Sequence, residues 1–158
     1  GETVSVGSAK ITPILLSHPV LNFGYRIDCD GQSIFFTGDY EPVFNIYDPN
    51  DSEYAEYQSF IDEKQVEIIS AMKNVDALIV DSSYTPEEYL MKKGWGHGTY
   101  DSAINLAGLA KAKKLFFTHH EPTRTDEQLE QIYQQLCQNN PNIDFEMFLA
   151  QEGIDILL

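Results

Sequence analysis

Four short apolar runs in this 158-residue chain each deliver an imidazole or a carboxylate at, or just past, their end. Ile14-Leu15-Leu16 leads to His18, Ile34-Phe35-Phe36 to Asp39, Ala77-Leu78-Ile79-Val80 to Asp81, and Leu115-Phe116-Phe117 to His119. Runs this short, bounded by turn residues, suit buried strands. In layered α/β proteins the ends of strands are where sites are built. The regularity therefore constrains the chain to a sheet whose strand ends carry chemistry.

The segments between these runs alternate in type. Residues 3–6, 11–16, 23–29 and 33–37 read as strands, with Asp30-Gly31 as a hairpin turn of the kind that needs positive φ. Pro13 predicts an edge position or a bulge. A helix is expected over 53–73, with Tyr54, Tyr57, Ile61, Ile68 and Met72 on one side and an acidic, solvated face opposite. Beyond the 77–81 strand, a long loop over 82–98 holds a helical turn at 86–91 and closes with Gly94-Trp95-Gly96-His97-Gly98. A second helix starts near Thr99. Its Ala103, Leu106, Ala107 and Ala110 stripe lets it lie close to a sheet, and Lys111, Lys113 and Lys114 complement its C-terminal dipole. A third helix is announced by a Thr125/Gln128 capping box, carries Leu129, Ile132, Tyr133, Leu136 and Cys137 as its stripe, and stops at Asn139-Asn140-Pro141. Residues 144–149 and 154–158 read as two terminal strands. Strands first, then strands alternating with helices, give an α/β fold with a mixed sheet and about three helices.

Charge narrows the partners. The chain has 10 Lys+Arg against 25 Asp+Glu, a formal net charge of −15, with the acidity concentrated in residues 39–88. No Lys/Arg-rich stripe exists to follow a polynucleotide backbone, so extended nucleic acid is not an expected partner. A single phosphate group held by local donors is compatible with this charge. An apolar content of 42% supports a sizeable core and excludes wholesale disorder. No apolar run approaches the ~20 residues of a membrane span. The start, Gly1-Glu2-Thr3-Val4, has neither a basic n-region nor an apolar h-region, so no secretory signal is expected. Cys29 and Cys137 form no C-x-x-C pair, and a reducing cytoplasm is the expected setting.

Imidazole and carboxylate donors suit zinc and related divalent ions, and His18, Asp39 and His119 are candidates to converge from three strand ends. Each also has a plainer reading. His18 suits a hydrogen-bonded loop residue, Asp39 an Asx turn, Asp81 a cap on the following loop, and one of His119-His120 a surface position. In Trp95-Gly96-His97-Gly98-Thr99, glycines on both sides let the backbone approach a ligand closely. With Thr99 as a cap, His97 sits just before a positive helix end, where it could present a donor to an anion; the alternative is that the glycines serve only their turns. The patterns G-x-S-x-G, G-x-x-x-x-G-K-[ST] and G-x-G-x-x-G are absent, and Cys29 and Cys137 read as strand and helix-stripe residues, so a nucleophile elbow, a P-loop and a dinucleotide fingerprint are excluded.

Taken in order, four stretches resemble the C-terminal half of a metallo-β-lactamase-fold hydrolase, most nearly the phosphodiesterase-like branch that includes ribonuclease Z and the phosphoribosyl cyclic phosphodiesterases. His18-Pro19 followed by Gly24-Tyr25-Arg26-Ile27 resembles the family's third metal motif. Phe36-Thr37-Gly38-Asp39 resembles its G-D motif, and Leu78-Ile79-Val80-Asp81 with Gly96-His97-Gly98-Thr99 resembles its acidic strand end and H-S/G-T loop. Phe117-Thr118-His119-His120-Glu121-Pro122 resembles the last metal motif, with His119 as the ligand and His120 as its neighbour.

The resemblance implies the C-terminal half of an αββα sandwich, with residues 1–158 as a single region. It implies two divalent ions, zinc first and manganese or iron as alternatives. His18 would bind the first, Asp39 would bridge both and His119 would bind the second. His97 would hold the scissile phosphate or assist proton transfer, and Asp81 would orient its neighbours. The implied activity is metal-dependent hydrolysis, with a metal-activated hydroxide attacking a small phosphoester, a cyclic one included. The family's H-x-H-x-D-H signature is missing, because the only histidines are His18, His97, His119 and His120. The missing N-terminal half of the domain is thus an expected partner. The isolated chain is expected to be inactive and to hide its uncovered sheet in a homodimer. Two further classes stay open: a non-catalytic binding module on the same fold, and a di-iron redox or oxygen sensor.

Overall fold

A computed structural model describes residues Gly1–Leu158. Seven strands form one sheet in chain order: β1 (Val4–Val6), β2 (Ala9–Leu16), β3 (Asn22–Cys29), β4 (Gln32–Phe36), β5 (Ala77–Asp81), β6 (Lys114–Thr118) and β7 (Glu146–Leu149). The first four are antiparallel and the last four are parallel. The hairpin between β3 and β4 turns through Asp30 and Gly31, both at positive φ, as the sequence predicts. Pro13 lies in regular register opposite Tyr25 with no bulge. Because β1 pairs only with Ala9–Ile11, Pro13 is at an edge on that side.

Helices α1 (Tyr54–Met72), α3 (Tyr100–Ala110) and α4 (Asp126–Asn139) make the crossovers between successive parallel strands, and a short α2 (Pro86–Tyr89) sits in the loop after β5. Parallel crossovers of one hand, stepping in one direction along a sheet, put their helices on the same face. Phe35, Leu78, Leu115 and Met147 lie in register across β4–β7, and their side chains meet Ile68 and Met72 of α1, Ala103 and Ala107 of α3, and Leu136 of α4. Each such large side chain contributes roughly 1.5–3 kcal/mol on leaving water. Thr99 and Thr125 close full capping boxes on α3 and α4, each of which stabilises its helix by about 1 kcal/mol.

The opposite face is less covered. Leu15, Phe23, Tyr25 and Phe36 point there and stay exposed. Toward β5 and β6 the same face is screened by the C-terminal segment, where Ile154, Ile156 and Leu158 lie against Ile34, Ile79 and Phe116. Lys114 Nζ donates to the Leu157 carbonyl at 2.9 Å and Gln32 Nε2 to that of Leu158. The strand expected at 154–158 therefore does not form: its alternating apolar residues rest on a sheet face instead of pairing with an edge.

Two other expectations are corrected. Lys113 and Lys114 do not serve the α3 dipole. That helix ends at Ala110, Lys111 turns the chain at φ 53°, and the next two lysines are already past the turn. Lys113 instead binds Asp76 at 2.7 Å; that contact and the Ser33 N–H hold the Asp76 carboxyl below the usual range. Cys137 is exposed, because Leu136 takes the core position of the last α4 turn and the next residue is rotated ~100° away.

Candidate metal centre

The parallel strands bring their carboxyl ends to one edge of the sheet, and the side chains delivered there meet. Asp39 follows β4 through Gly38, which takes φ 60°. Asn22 Nδ2 holds this turn by donating to the carbonyls of Thr37 (3.2 Å) and Asp39. The Asp39 oxygens face different imidazoles: Oδ1 lies 3.2 Å from His119 Nε2 and Oδ2 lies 3.8 Å from His18 Nε2. The ring of His97 stacks on that of His119 with centroids 4.5 Å apart, and the His18 ring meets His97 edge-on at 5.7 Å. One ligand atom from each of Asp39, Asp81, His97 and His119 falls within 4.8 Å of the others.

Each imidazole is also tied at its other nitrogen. His97 Nδ1 donates to Asp81 Oδ2 at 2.6 Å. His119 Nδ1 lies 3.1 Å from Ser83 Oγ, which in turn donates to Asp81 Oδ1 at 2.9 Å. His18 Nδ1 sits 3.2 Å from the Val20 carbonyl and 3.3 Å from the Val20 N–H. When Nδ1 carries the proton in each ring, the Nε2 lone pairs of His18 and His119 face Asp39 and that of His97 is free. At His97 and His119 this pattern of an outer partner fixing the tautomer suits metal ligation, whereas the Val20 carbonyl and N–H at His18 Nδ1 call for opposite tautomers. The imidazole and carboxylate donors of this edge thus fit a borderline divalent ion such as zinc.

Asp81 is the organiser beneath them. It is fully buried, accepts from the Tyr40 N–H at 3.0 Å as well as from His97 and Ser83, and its own N–H donates to Thr37 Oγ1 at 3.1 Å. His120 points away from the group. His119 takes φ 57°, which turns the chain so that the two adjacent rings diverge. The His120 ring stacks on Tyr100, and burial pushes its pKa down. Of the pair, His119 is the more exposed, with its side chain 42% open to solvent, and His120 is half-buried.

The loop carrying His97 also carries a lysine held on aromatic rings. Lys92 Nζ lies 4.1 Å from the Trp95 ring centre and 5.7 Å from that of Tyr84, and the Tyr84 ring is 6.3 Å from His97. The sequence reading missed Ser83, Thr37 and Tyr84. The Ser82-Ser83 hydroxyls directly after the Asp81 carboxylate were the available signal.

Gly96 is packed against His18. It takes φ 99°, and a Cβ there would lie 2.5 Å from His18 Cδ2 and 2.6 Å from Nε2. In the complete domain, Gly96→Ala is therefore expected to push the His18 imidazole off Asp39 and to lower the ion content by about one equivalent. Metal analysis by mass spectrometry checks this, and unchanged stoichiometry would count against His18 as a ligand.

The chain belongs to the β-lactamase superfamily domain family, whose model matches residues 1–120. Members of this fold family bind divalent metals. Among solved structures, the metallo-β-lactamase fold protein YhfI from Bacillus subtilis superimposes with a TM-score of 0.68 at 19% identity, over 97% of this chain and 51% of that one. The short form of human tRNase Z gives 0.61 at 18% identity, over 96% and 42%. A diphosphatase from the PhnP family gives 0.58 at 19%, over 99% and 46%. The chain thus spans about half the length of these structures and has a metallo-β-lactamase fold. No curated protein matches it in sequence. No helix is long and apolar enough to cross a membrane.

Proposed function

We propose that residues 1–158 are the C-terminal, metal-binding half of a dinuclear hydrolase that cleaves a small phosphodiester. The observation that carries this reading is the pairing of a split carboxylate with a held imidazole. Asp39 turns one oxygen toward His18 and the other toward His119, as a bridging ligand would, while His97 is held by a buried carboxylate beside them. Two similar structures, a tRNase and a diphosphatase, are named for phosphate-containing substrates. Two divalent ions held here, zinc by preference, would supply a nucleophile at neutral pH and neutralise charge developing on the phosphate oxygens.

The chain's own residues do the rest. Asp81 fixes the His97 tautomer so that its Nε2 meets the substrate, where it takes a proton from the attacking water or, once protonated, gives one to the leaving oxygen. Ser83 orients His119 through the same carboxylate. Lys92 offers a cation to the phosphate in an otherwise acidic molecule. His18, Asp39 and His119 cannot complete two tetrahedral sites, so we assign the remaining ligands to the missing N-terminal half of the domain, packed on the face that exposes Leu15, Phe23, Tyr25 and Phe36. Without that half, a homodimer covers the same face. Both cysteines are free, which favours the cytoplasm.

Assay of the complete domain, loaded with zinc, manganese or iron, on bis(4-nitrophenyl) phosphate and on 4-nitrophenyl acetate tests the reading. Chelator-sensitive release from the phosphodiester is expected. Release from the acetate alone points to another ester class. Bound ions without any turnover favour the binding module, and visible absorbance that bleaches on reduction favours the di-iron sensor.

A further inference from the structure

The reading above leaves one buried charge unused. Glu41 is 4% exposed and lies two residues past Asp39 in Gly38-Asp39-Tyr40-Glu41-Pro42. No lysine or arginine pairs with it. Its carboxylate accepts instead from three neutral donors, all on the segment leading to His97: Tyr89 Oη at 2.5 Å and Gly94 N at 2.7 Å on Oε1, and Gly96 N at 2.7 Å on Oε2. Its own N–H donates to the Ser17 carbonyl at 3.1 Å, one residue before His18.

We propose that Glu41 is a positioning residue that sets the register of the three segments bearing His18, Asp39 and His97. The physical need is plain. Residues 90–98 contain no regular element and their large apolar side chains, Leu90, Met91 and Trp95, are exposed, so apart from the Phe44 ring beside Lys93 and Gly94 little apolar contact holds the segment. Gly94 and Gly96 both take positive φ, which turns their N–H groups inward onto one carboxylate. Charge-assisted bonds of this kind are roughly twice as strong as neutral ones. On the far side of His97, the Gly98 carbonyl accepts from Tyr84 N at 3.2 Å. His97 is therefore strung between two anchors, Glu41 before it and Tyr84 after it. The same loop holds Gly96 against the His18 ring, so the clamp also seats that imidazole.

Glu41→Gln is the discriminating variant. An amide has one acceptor oxygen, so its NH2 must oppose the N–H of Gly94 or of Gly96. Tyr89→Phe keeps both backbone bonds and serves as the comparison. The readouts are amide hydrogen exchange at 94–97 and the His97 Nδ1–H resonance in the ¹⁵N-labelled protein. Glu41→Gln is expected to speed exchange at Gly94 and Gly96 by at least ~10-fold and to shift or broaden the His97 signal, with core amides of β5 and β6 unchanged. Tyr89→Phe is expected to move both far less. Wild-type exchange and an unshifted His97 signal in Glu41→Gln overturn the proposal. So does rapid exchange of Gly94 and Gly96 in the wild type, a measurement that stands even if the variant does not fold. The effect on turnover rests on the phosphodiesterase reading: kcat should fall about 10–100-fold with KM little changed, as for a misplaced catalytic group. A loosened His97 loop in a protein whose wild type cleaves no phosphodiester would keep the clamp and remove the proposed reaction.

Discussion

In the complete domain, Asp39→Ala is expected to empty the metal centre, whereas His18→Ala or His119→Ala should each remove mainly one ion. The asymmetry follows from the geometry of one carboxylate. Its two oxygens face two different imidazoles at 3.2 and 3.8 Å, so deleting it takes a donor and a negative charge from both positions at once. The loss of affinity should exceed the ~100-fold upper range that changes to outer partners cause. Folding should be little affected. The Asp39 side chain is 44% exposed, and Asn22 holds the turn through backbone carbonyls that alanine retains. Ion stoichiometry by mass spectrometry, with circular dichroism as the folding control, decides the matter. Two ions retained in Asp39→Ala would end the dinuclear reading.

His97→Ala is expected to lower phosphodiester turnover by about 10²–10⁴-fold, the range for loss of a general acid or base. The imidazole is held at 2.6 Å by Asp81, stacked on His119, and has no protein partner at Nε2. That arrangement leaves Nε2 open to a ligand or a substrate. Asp81 would keep two of its three partners, the Tyr40 N–H and the Ser83 hydroxyl, so its buried charge would not be stranded. Ion content should stay near wild type. If the ions leave instead, His97 is a ligand, as its place within 4.8 Å of Asp39 and His119 permits. If turnover is unchanged, the Gly96-His97-Gly98 loop serves another purpose.

Much of this was legible in the chain because it is written locally. Apolar runs of three or four residues, an Asp-Gly turn, and Thr99 and Thr125 before their helices each act over a few residues, and each produced its element. The failures were of two kinds. Helical periodicity locates a stripe but not its width, so Cys137 was placed one position too far round α4. Alternation at 154–158 signals an extended segment against an apolar surface, but it does not say whether the surface is a strand edge or a sheet face.

The sequence by itself determined which side chains arrive at the ends of strands, since strand length and turn chemistry are local. His18, Asp39, Asp81 and His119 could be named from position alone. Tertiary structure decided what those side chains touch. The bonds from Glu41 to Gly94 and Gly96 span more than fifty residues, and those from Ser83 to His119 span 36. They exist because parallel crossovers return each strand end to the same edge of the sheet. A carboxylate or hydroxyl on a turn has no sequence mark that tells a clamp from a solvated group. Only the distance between segments, set by the stacking of β4, β5 and β6, makes Glu41 a holder of the His97 loop and Ser83 a link between His119 and Asp81.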